Sequence, residues 1–495
     1  MTITSTEPTR APERSRWLAL GILCTGMLMI LLDTTIVNVA LRDIQVDLGF
    51  SQSGLAWVAN AYLIAFGGLL LLAGRLGDLH GQRRVFVVGL TVFTVASLLC
   101  GTAQTSGMLV TMRFVQGIGG ALTSAGILAM ISTLFDSPAE RNRAYGIYTF
   151  VAAGGAALGM LAGGLITQWL NWHWVFVVNV PIGTAVALLA LRHVPADGET
   201  AAGRHTDVLS AVLVTAGVML AVYGIVQIEK DGLVSLAALG PIVAGLAVLA
   251  VFVGRQQVAR DPLMPLHIFG SRIITGANTV LLVMYVGAVG FLFLGPLYFM
   301  RVLDYSAVAT GLAMAPMPIA IGLVSVRPSP WLQARFGQRP VLLVGLALLV
   351  VGQGLLVRLP ETSHYVTSVL PTLVVSGIGF GLALTTLTTM NMGAASPSDA
   401  GLASGLFNTT RQLGMAIGVA MSATLAESAT SQRLDDGHST ANALVGGYHL
   451  AFGVGAALML VAWVLTMTLF HRPPRQPQPV DAREGAEQLA VADAA

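Results

Sequence analysis

The sequence predicts an all-α polytopic membrane protein: two six-helix bundles with two further helices inserted between them, fourteen transmembrane helices in total. Three observations predict it. Apolar residues make up 55% of the 495-residue chain and charged residues only 10%, well outside the averages of soluble domains. Fourteen apolar runs are each long enough to cross a bilayer as a helix, which takes about 20 residues. Finally, short motifs from the first third of the chain recur in the last third.

The expected spans are 17–40, 54–73, 85–103, 108–134, 144–167, 174–192, 208–226, 233–254, 273–300, 306–326, 340–358, 366–390, 402–426 and 447–470. The first is too long for a signal-peptide core and lacks a clear cleavage site, so it reads as a retained helix. The joints between spans alternate in charge. On one side lie Arg10, Arg14 and Arg16 before the first span, then Arg75, Arg83 and Arg84 between the second and third. Arg141 and Arg143 precede the fifth span, Arg192 and Arg204 follow the sixth, and Arg255, Arg260 and Arg272 follow the eighth. Arg327, Arg335 and Arg339 follow the tenth, and Arg472, Arg475 and Arg483 fall in the tail. The opposite side has only Arg42, Lys230, Arg301, Arg358 and Arg433, while Arg113 and Arg411 fall inside spans. An excess of 19 over 5 places both termini in the cytoplasm by the positive-inside rule.

A net charge of +2 is therefore a topology signal and does not point to nucleic acid. Cys24 and Cys100 both sit in apolar runs and read as packing residues, with no disulfide framework. The tail from His471, with four prolines among polar residues, is expected to be disordered. The chain thus divides into a cytoplasmic tail (1–16), a first six-helix bundle (17–193), a linker with two extra helices (194–272), a second bundle (273–470) and a cytoplasmic tail (471–495).

The duplication is weak but consistent. The ten residues Gly81–Leu90 recur as Gly337–Leu346 with seven identities, at an offset of 256, and Gly117-Ile118-Gly119 recurs as Gly377-Ile378-Gly379 at an offset of 260. These echoes pair the third span with the eleventh and the fourth with the twelfth. Parallel halves with a site near the membrane midplane between them are a transporter architecture.

Asp33 is the chemically loaded residue. It lies two-thirds of the way through the first span, followed closely by Thr34, Thr35 and Asn38. A carboxylate at membrane depth costs roughly 2.5–3.5 kcal/mol even on lenient scales, so its retention points to handling of a proton or a cation. A satisfied structural acid is the alternative reading. Arg113 is a second intramembrane charge that cannot lose its proton; it can depress the pKa of a nearby carboxylate, with Asp33 the candidate, or tie down backbone carbonyls.

These motifs resemble the major facilitator superfamily, specifically its fourteen-helix drug:proton antiporters, over nearly the whole chain. Leu32–Leu41 is similar to the family's helix-one pattern, which implies proton coupling or cationic substrate recognition at Asp33. Gly74-Arg75-Leu76-Gly77-Asp78-Leu79-His80-Gly81-Gln82-Arg83-Arg84 resembles the loop that latches the two halves in one conformation. Asp78 would be its central acid, facing Arg143 or the N-terminal end of the thirteenth helix near Ser398; Leu79 stands where a basic residue is usual. Arg113-Phe114-Val115-Gln116-Gly117 implies a cavity-facing arginine that influences proton transfer. Gly155, Gly159, Gly163 and Gly164 resemble the antiporter packing motif of helix five, although Met160 replaces the usual proline. Trp172-His173-Trp174 and Asn179-Val180-Pro181-Ile182-Gly183 resemble the start of helix six. In the second half, Asn408, Arg411, Gln412 and Gly414 resemble helix thirteen, where Arg411 either lines the cavity or anchors its helix.

The expected activity is proton-coupled export of small hydrophobic or cationic compounds through the cytoplasmic membrane by alternating access. Export of one endogenous metabolite and proton-symport uptake are the alternatives, and a non-transporting membrane receptor is the alternative from a different class. Residues such as Met27, Tyr62, Tyr285 and Met390 are candidates for an adaptable apolar wall. No enzyme, cofactor or metal centre is expected: His173, His364 and His438 lack ligand spacing, no phosphate-binding loop occurs, and the proton gradient supplies the energy. The expected partners are the substrate, protons and lipid, with the chain acting as a monomer.

Overall fold

The computed structural model describes residues 13–197, 207–231, 235–259, 262–360 and 364–470. The expected tails therefore fall outside the described residues, except for 13–16, which belong to the first helix. Arginines 10, 204, 260, 472, 475 and 483 lie outside as well, as do the side chains of Asn38, Met160, Gly164 and Lys230.

Among the described residues the chain forms fourteen long helical units. The first six are α1 (Glu13–Leu48), α2 (Trp57–His80), α3 (Gln82–Gly101), α4 (Ser106–Leu134), α5 (Pro138–Trp169) and α6 (His173–His193). The inserted pair is α7 (Val208–Asp231) and α8 (Leu236–Val258). The last six are α9 (Arg272–Arg301), α10 (Ala307–Met314 and Pro316–Val326), α11 (Gln338–Leu356), α12 (Tyr365–Gly393), α13 (Ala400–Asp435) and α14 (Thr440–Leu469). Thirteen are long and apolar enough to cross a membrane; the other, α5, has 32 residues, several with side chains outside the described set. α1 and α13 are 36 residues each and run well beyond their expected apolar spans, because their polar ends continue the helical hydrogen bonding past the apolar stretch.

The sequence echoes correspond to repeated packing. Gly81 separates α2 from α3 with φ +101°, and Gly337 precedes α11 with φ +85°, a backbone region open to glycine at little cost. In the first half, a Cβ on Gly119 would come within 2.4 Å of Phe93 N in α3. In the second, a Cβ on Gly379 would come within 2.9 Å of Leu349 N in α11. The same small residues thus bring α4 against α3 and α12 against α11, the close approach that drives helix association in lipid.

The two inserted helices form a hairpin beside α2 and α13. Its polar end is braced by Arg255, whose Nε and Nη2 donate to Asp207 Oδ2 and Oδ1 at 3.0 Å each. That fork, with a hydroxyl bond from Ser210 at 2.7 Å, lowers the Asp207 pKa to about 2. A depressed carboxylate pKa stabilises the fold above the unfolded value of about 3.9 and loses that contribution as pH falls through the folded value. Asp207→Asn is therefore expected to speed amide exchange at the start of α7 at neutral pH. The wild type should show the same loosening only between about pH 4 and pH 2.

The halves meet at the end of the bundle that carries the two glycine turns. There a Cβ on Gly74 of α2 would lie 2.3 Å from Gly401 O of α13, and one on Gly146 of α5 would lie 2.0 Å from Ser325 O of α10. This face is closed in the present conformation.

Candidate functional site

Asp33 stands inside the first half with no solvent exposure. Its Oδ2 accepts from Arg113 Nη1 at 2.6 Å, and its Oδ1 accepts from Gln116 Nε2 at 2.8 Å and Asn179 Nδ2 at 3.0 Å. Arg113 is 1% exposed and also donates to Gln116 Oε1 at 2.8 Å and to Val58 O at 2.9 Å. Its guanidinium packs over the Tyr62 ring, 4.4 Å from the centroid. Ser97 completes the network: it accepts from Gln116 and Asn179 at 3.1 Å and donates to Phe176 O at 2.9 Å. Five helices, α1, α2, α3, α4 and α6, thus satisfy one carboxylate and one guanidinium. A buried ion pair survives only when its remaining lone pairs and protons are bonded in this way.

Arg113 was expected to face the cavity between halves; it is enclosed within the first half and does both things open to it, pairing with Asp33 and holding a backbone carbonyl. Thr34 does not join the cluster, since its hydroxyl donates back to Leu31 O at 2.8 Å within its own helix. Asn38 lies outside the described side chains. Both Asp33 oxygens accept from first-half donors in this conformation. The cluster sits toward the face opposite the closed end: at 1.5 Å per residue, Arg113 and Asn179 are each about 10 Å from the starts of α4 and α6.

The loop motif acts where the halves meet. Asp78 accepts from the backbone N–H groups of Gly401 and Leu402, both at 2.8 Å, so it caps the first turn of α13 and complements the helix dipole. Gln82 Nε2 supports it at 2.8 Å. Of the two partners expected for Asp78, the α13 terminus is the one it meets; Arg143 lies over the Trp17 ring, 5.1 Å from the centroid. Arg83 and Arg84 turn toward the end of α6 and the start of the linker. Their backbone N–H groups donate to Asp197 at 2.8 and 3.1 Å, and the Arg83 guanidinium donates to Leu191 O.

Gly155 and Gly159 bring α5 against α1, where a Cβ on Gly155 would press on Leu28 and Leu31 and one on Gly159 would overlap the Thr35 hydroxyl. Gly163 is buried on the same helix. In the second half Asn408 Nδ2 donates to Ser404 O at 3.0 Å, and Gln412 is half-buried. Arg411 is 8% exposed and lies beside the hydroxyls of Tyr148 in α5 and Tyr285 in α9. It therefore lies between the halves and does not anchor a helix end.

Asn179, Ser97 and Gln82 escaped the sequence reading as functional residues. Asn179 carried a signal, an amide within an otherwise apolar run. Ser97 carried none, because a serine in a membrane helix commonly bonds its own backbone.

The Major Facilitator Superfamily pattern matches residues 23–419. This chain belongs to that superfamily. Its relatives in the superfamily include the puromycin resistance protein pur8 of Streptomyces alboniger, 37% identical over 92% of each chain. The cephamycin export protein CmcT of Amycolatopsis lactamdurans is 38% identical over 91% of this chain and 92% of that one. The crystal structure of the human organic anion transporter MFSD10 (TETRAN) superposes with a TM-score of 0.65, covering 92% of this chain and 100% of that one. At 14% identity that likeness speaks to the fold alone. As a superfamily member the protein is a multi-pass membrane transporter and not an enzyme.

Proposed function

We propose that the protein exports small hydrophobic compounds across the cytoplasmic membrane in exchange for protons, as a monomer with both termini in the cytoplasm and no bound cofactor. The observation that carries this reading is an acid buried deep in an apolar helix, satisfied by an arginine and two amides, in a bundle whose halves are latched at the opposite end. The charge asymmetry of the joints makes the latched face cytoplasmic, so the Asp33 cluster sits toward the exterior. A proton arriving from outside neutralises Asp33, breaks its ion pair with Arg113, and frees Gln116 and Asn179 to rebond. That rearrangement biases the first half toward the unlatched state, where cargo is loaded and the proton leaves to the cytoplasm. Moving one charge through the membrane potential supplies about 2.3 kcal/mol per 100 mV, enough to sustain roughly a fifty-fold gradient.

Two relatives described by resistance or export support the outward direction. CmcT, described as a cephamycin export protein, favours a second reading in which this chain exports one dedicated product.

The test is uptake into inside-out vesicles across a compound panel, with the pH gradient and the voltage collapsed separately. Export that stops when the pH gradient is collapsed supports proton coupling. Undiminished export without either gradient would remove the coupling, and no transport of any compound would remove the export reading.

A further inference from the structure

The first half neutralises its buried arginine and the second half does not. Arg113 has Asp33. Arg411, also buried at 8% exposure, has no carboxylate within ion-pair distance among the described residues; the hydroxyls of Tyr148 and Tyr285 lie beside it, and its Nε has no hydrogen-bond partner among them. A buried ion left without a counter-charge costs several kcal/mol, so a chain that keeps one has a use for the charge.

Its position says what that use is. Arg411 is eleven residues into α13, about 16 Å from the latched end, and Tyr148 is ten residues into α5, about 15 Å from the same end. Both are close to the middle of a hydrocarbon core about 30 Å thick. Tyr148 belongs to the first half and Tyr285 to the second, so the guanidinium bridges the seam at which alternating access opens and closes. Apolar groups stand close by: Tyr148 Oη lies 3.9 Å from Met27 Sδ, and the Tyr285 ring packs edge-on against Phe380 with centroids 5.4 Å apart. A planar guanidinium flanked by two hydroxyl donors matches a carboxylate, sulfonate or phosphate in fork geometry.

We propose that Arg411 is the seat for an anionic group on the cargo, the rest of which is a compact apolar body held by the Met27, Tyr285 and Phe380 side chains. This deepens the export reading, on which it rests, by naming a substrate class. It departs from the cationic cargo that the helix-one motif suggests, because Asp33 is already paired. Ion pairing at the seam also gives the cargo a means of coupling the halves: an anion that draws Arg411 away from one tyrosine changes the contact across the interface.

The experiment is equilibrium dialysis of the purified full chain in phosphatidylcholine nanodiscs, with empty nanodiscs subtracted. The probes are 2-naphthylacetate and 2-naphthylethanol, which share an apolar body and differ in the carboxylate. The wild type is expected to bind the carboxylate about tenfold more tightly, Arg411→Gln to bind the two alike, and Arg411→Lys to retain part of the preference. A wild type that does not prefer the carboxylate, or an Arg411→Gln protein that keeps the preference, overturns the proposal. Should the glutamine variant not fold, Tyr285→Phe removes one hydroxyl and keeps the charge. Its preference is expected to fall about threefold, and an unchanged preference counts against the seat.

Oleate in the nanodisc distinguishes a lipid carboxylate from a water-soluble one. Arg411-dependent displacement of naphthylacetate assigns the anion to lipid, and absence of displacement assigns it to soluble cargo. Vesicle export that continues without charge preference sinks this inference alone, whereas charge-selective binding with no export sinks the transport reading alone.

Discussion

Asp33→Asn is expected to cut gradient-driven export at least about tenfold and to make any residual transport indifferent to the pH gradient. The substitution keeps the side-chain shape and removes both the charge and the proton site. It also leaves Arg113, which is 1% exposed, as a buried charge facing an amide. Breaking one partner of such a pair destabilises by about 3–5 kcal/mol, so a fall in thermal stability will accompany the loss of transport. The double variant Asp33→Asn/Arg113→Gln separates the two effects. With neither charge buried, stability should recover toward wild type while coupled transport does not. Wild-type proton-driven uptake by the single variant, in vesicles carrying matched amounts of protein, would remove Asp33 from the coupling step.

Asp78→Ala is expected to release the latch. The carboxylate accepts from Gly401 and Leu402 N–H at 2.8 Å each, and such bonds contribute about 0.5–1.5 kcal/mol apiece, more where the acceptor is charged. Losing even about 3 kcal/mol shifts the closed-to-open ratio more than a hundredfold, which empties a conformation the cycle must visit. Export should fall by about tenfold or more, and Asp78→Asn, which retains an acceptor oxygen, should fall less. Spin labels at His80→Cys and Ser398→Cys, both exposed, report the motion directly. The native Cys24 and Cys100 are buried, so labelling is selective. The variant should show a longer-distance population missing from wild type. An unchanged distance distribution would mean that the helix crossing at Gly74 holds the face shut without Asp78.

Several features of the candidate site were legible because the bilayer leaves so few options. Two opposite charges in apolar helices have strong reason to find each other, so the sequence alone names Asp33 as the candidate carboxylate for Arg113. The latch acid was likewise recognisable, with its partner narrowed to two. What separated the α13 terminus from Arg143 was helix rotation: the guanidinium turns toward Trp17 on α1, and the free N–H groups of α13 meet Asp78. Arg411 remained ambiguous between cavity and helix end because both places suit a long side chain with a charged tip. Its neighbours decided the matter, and those neighbours come from helices more than a hundred residues away in sequence.

By itself the sequence determined the class of the molecule, the number and order of its apolar helices, their alternation in basic charge and the duplication that relates the halves. These follow from local quantities, hydropathy, Lys and Arg placement and glycine turns, that each segment carries whatever it packs against. Only the tertiary structure decided that Asp33 is spent on Arg113, Gln116 and Asn179, and that Arg411 stands unneutralised between the halves. The reason is geometric: a helix rotates through 100° per residue, so a shift of one position in packing register moves a polar group from the seam to the interior, and nothing within a single helix sets that register.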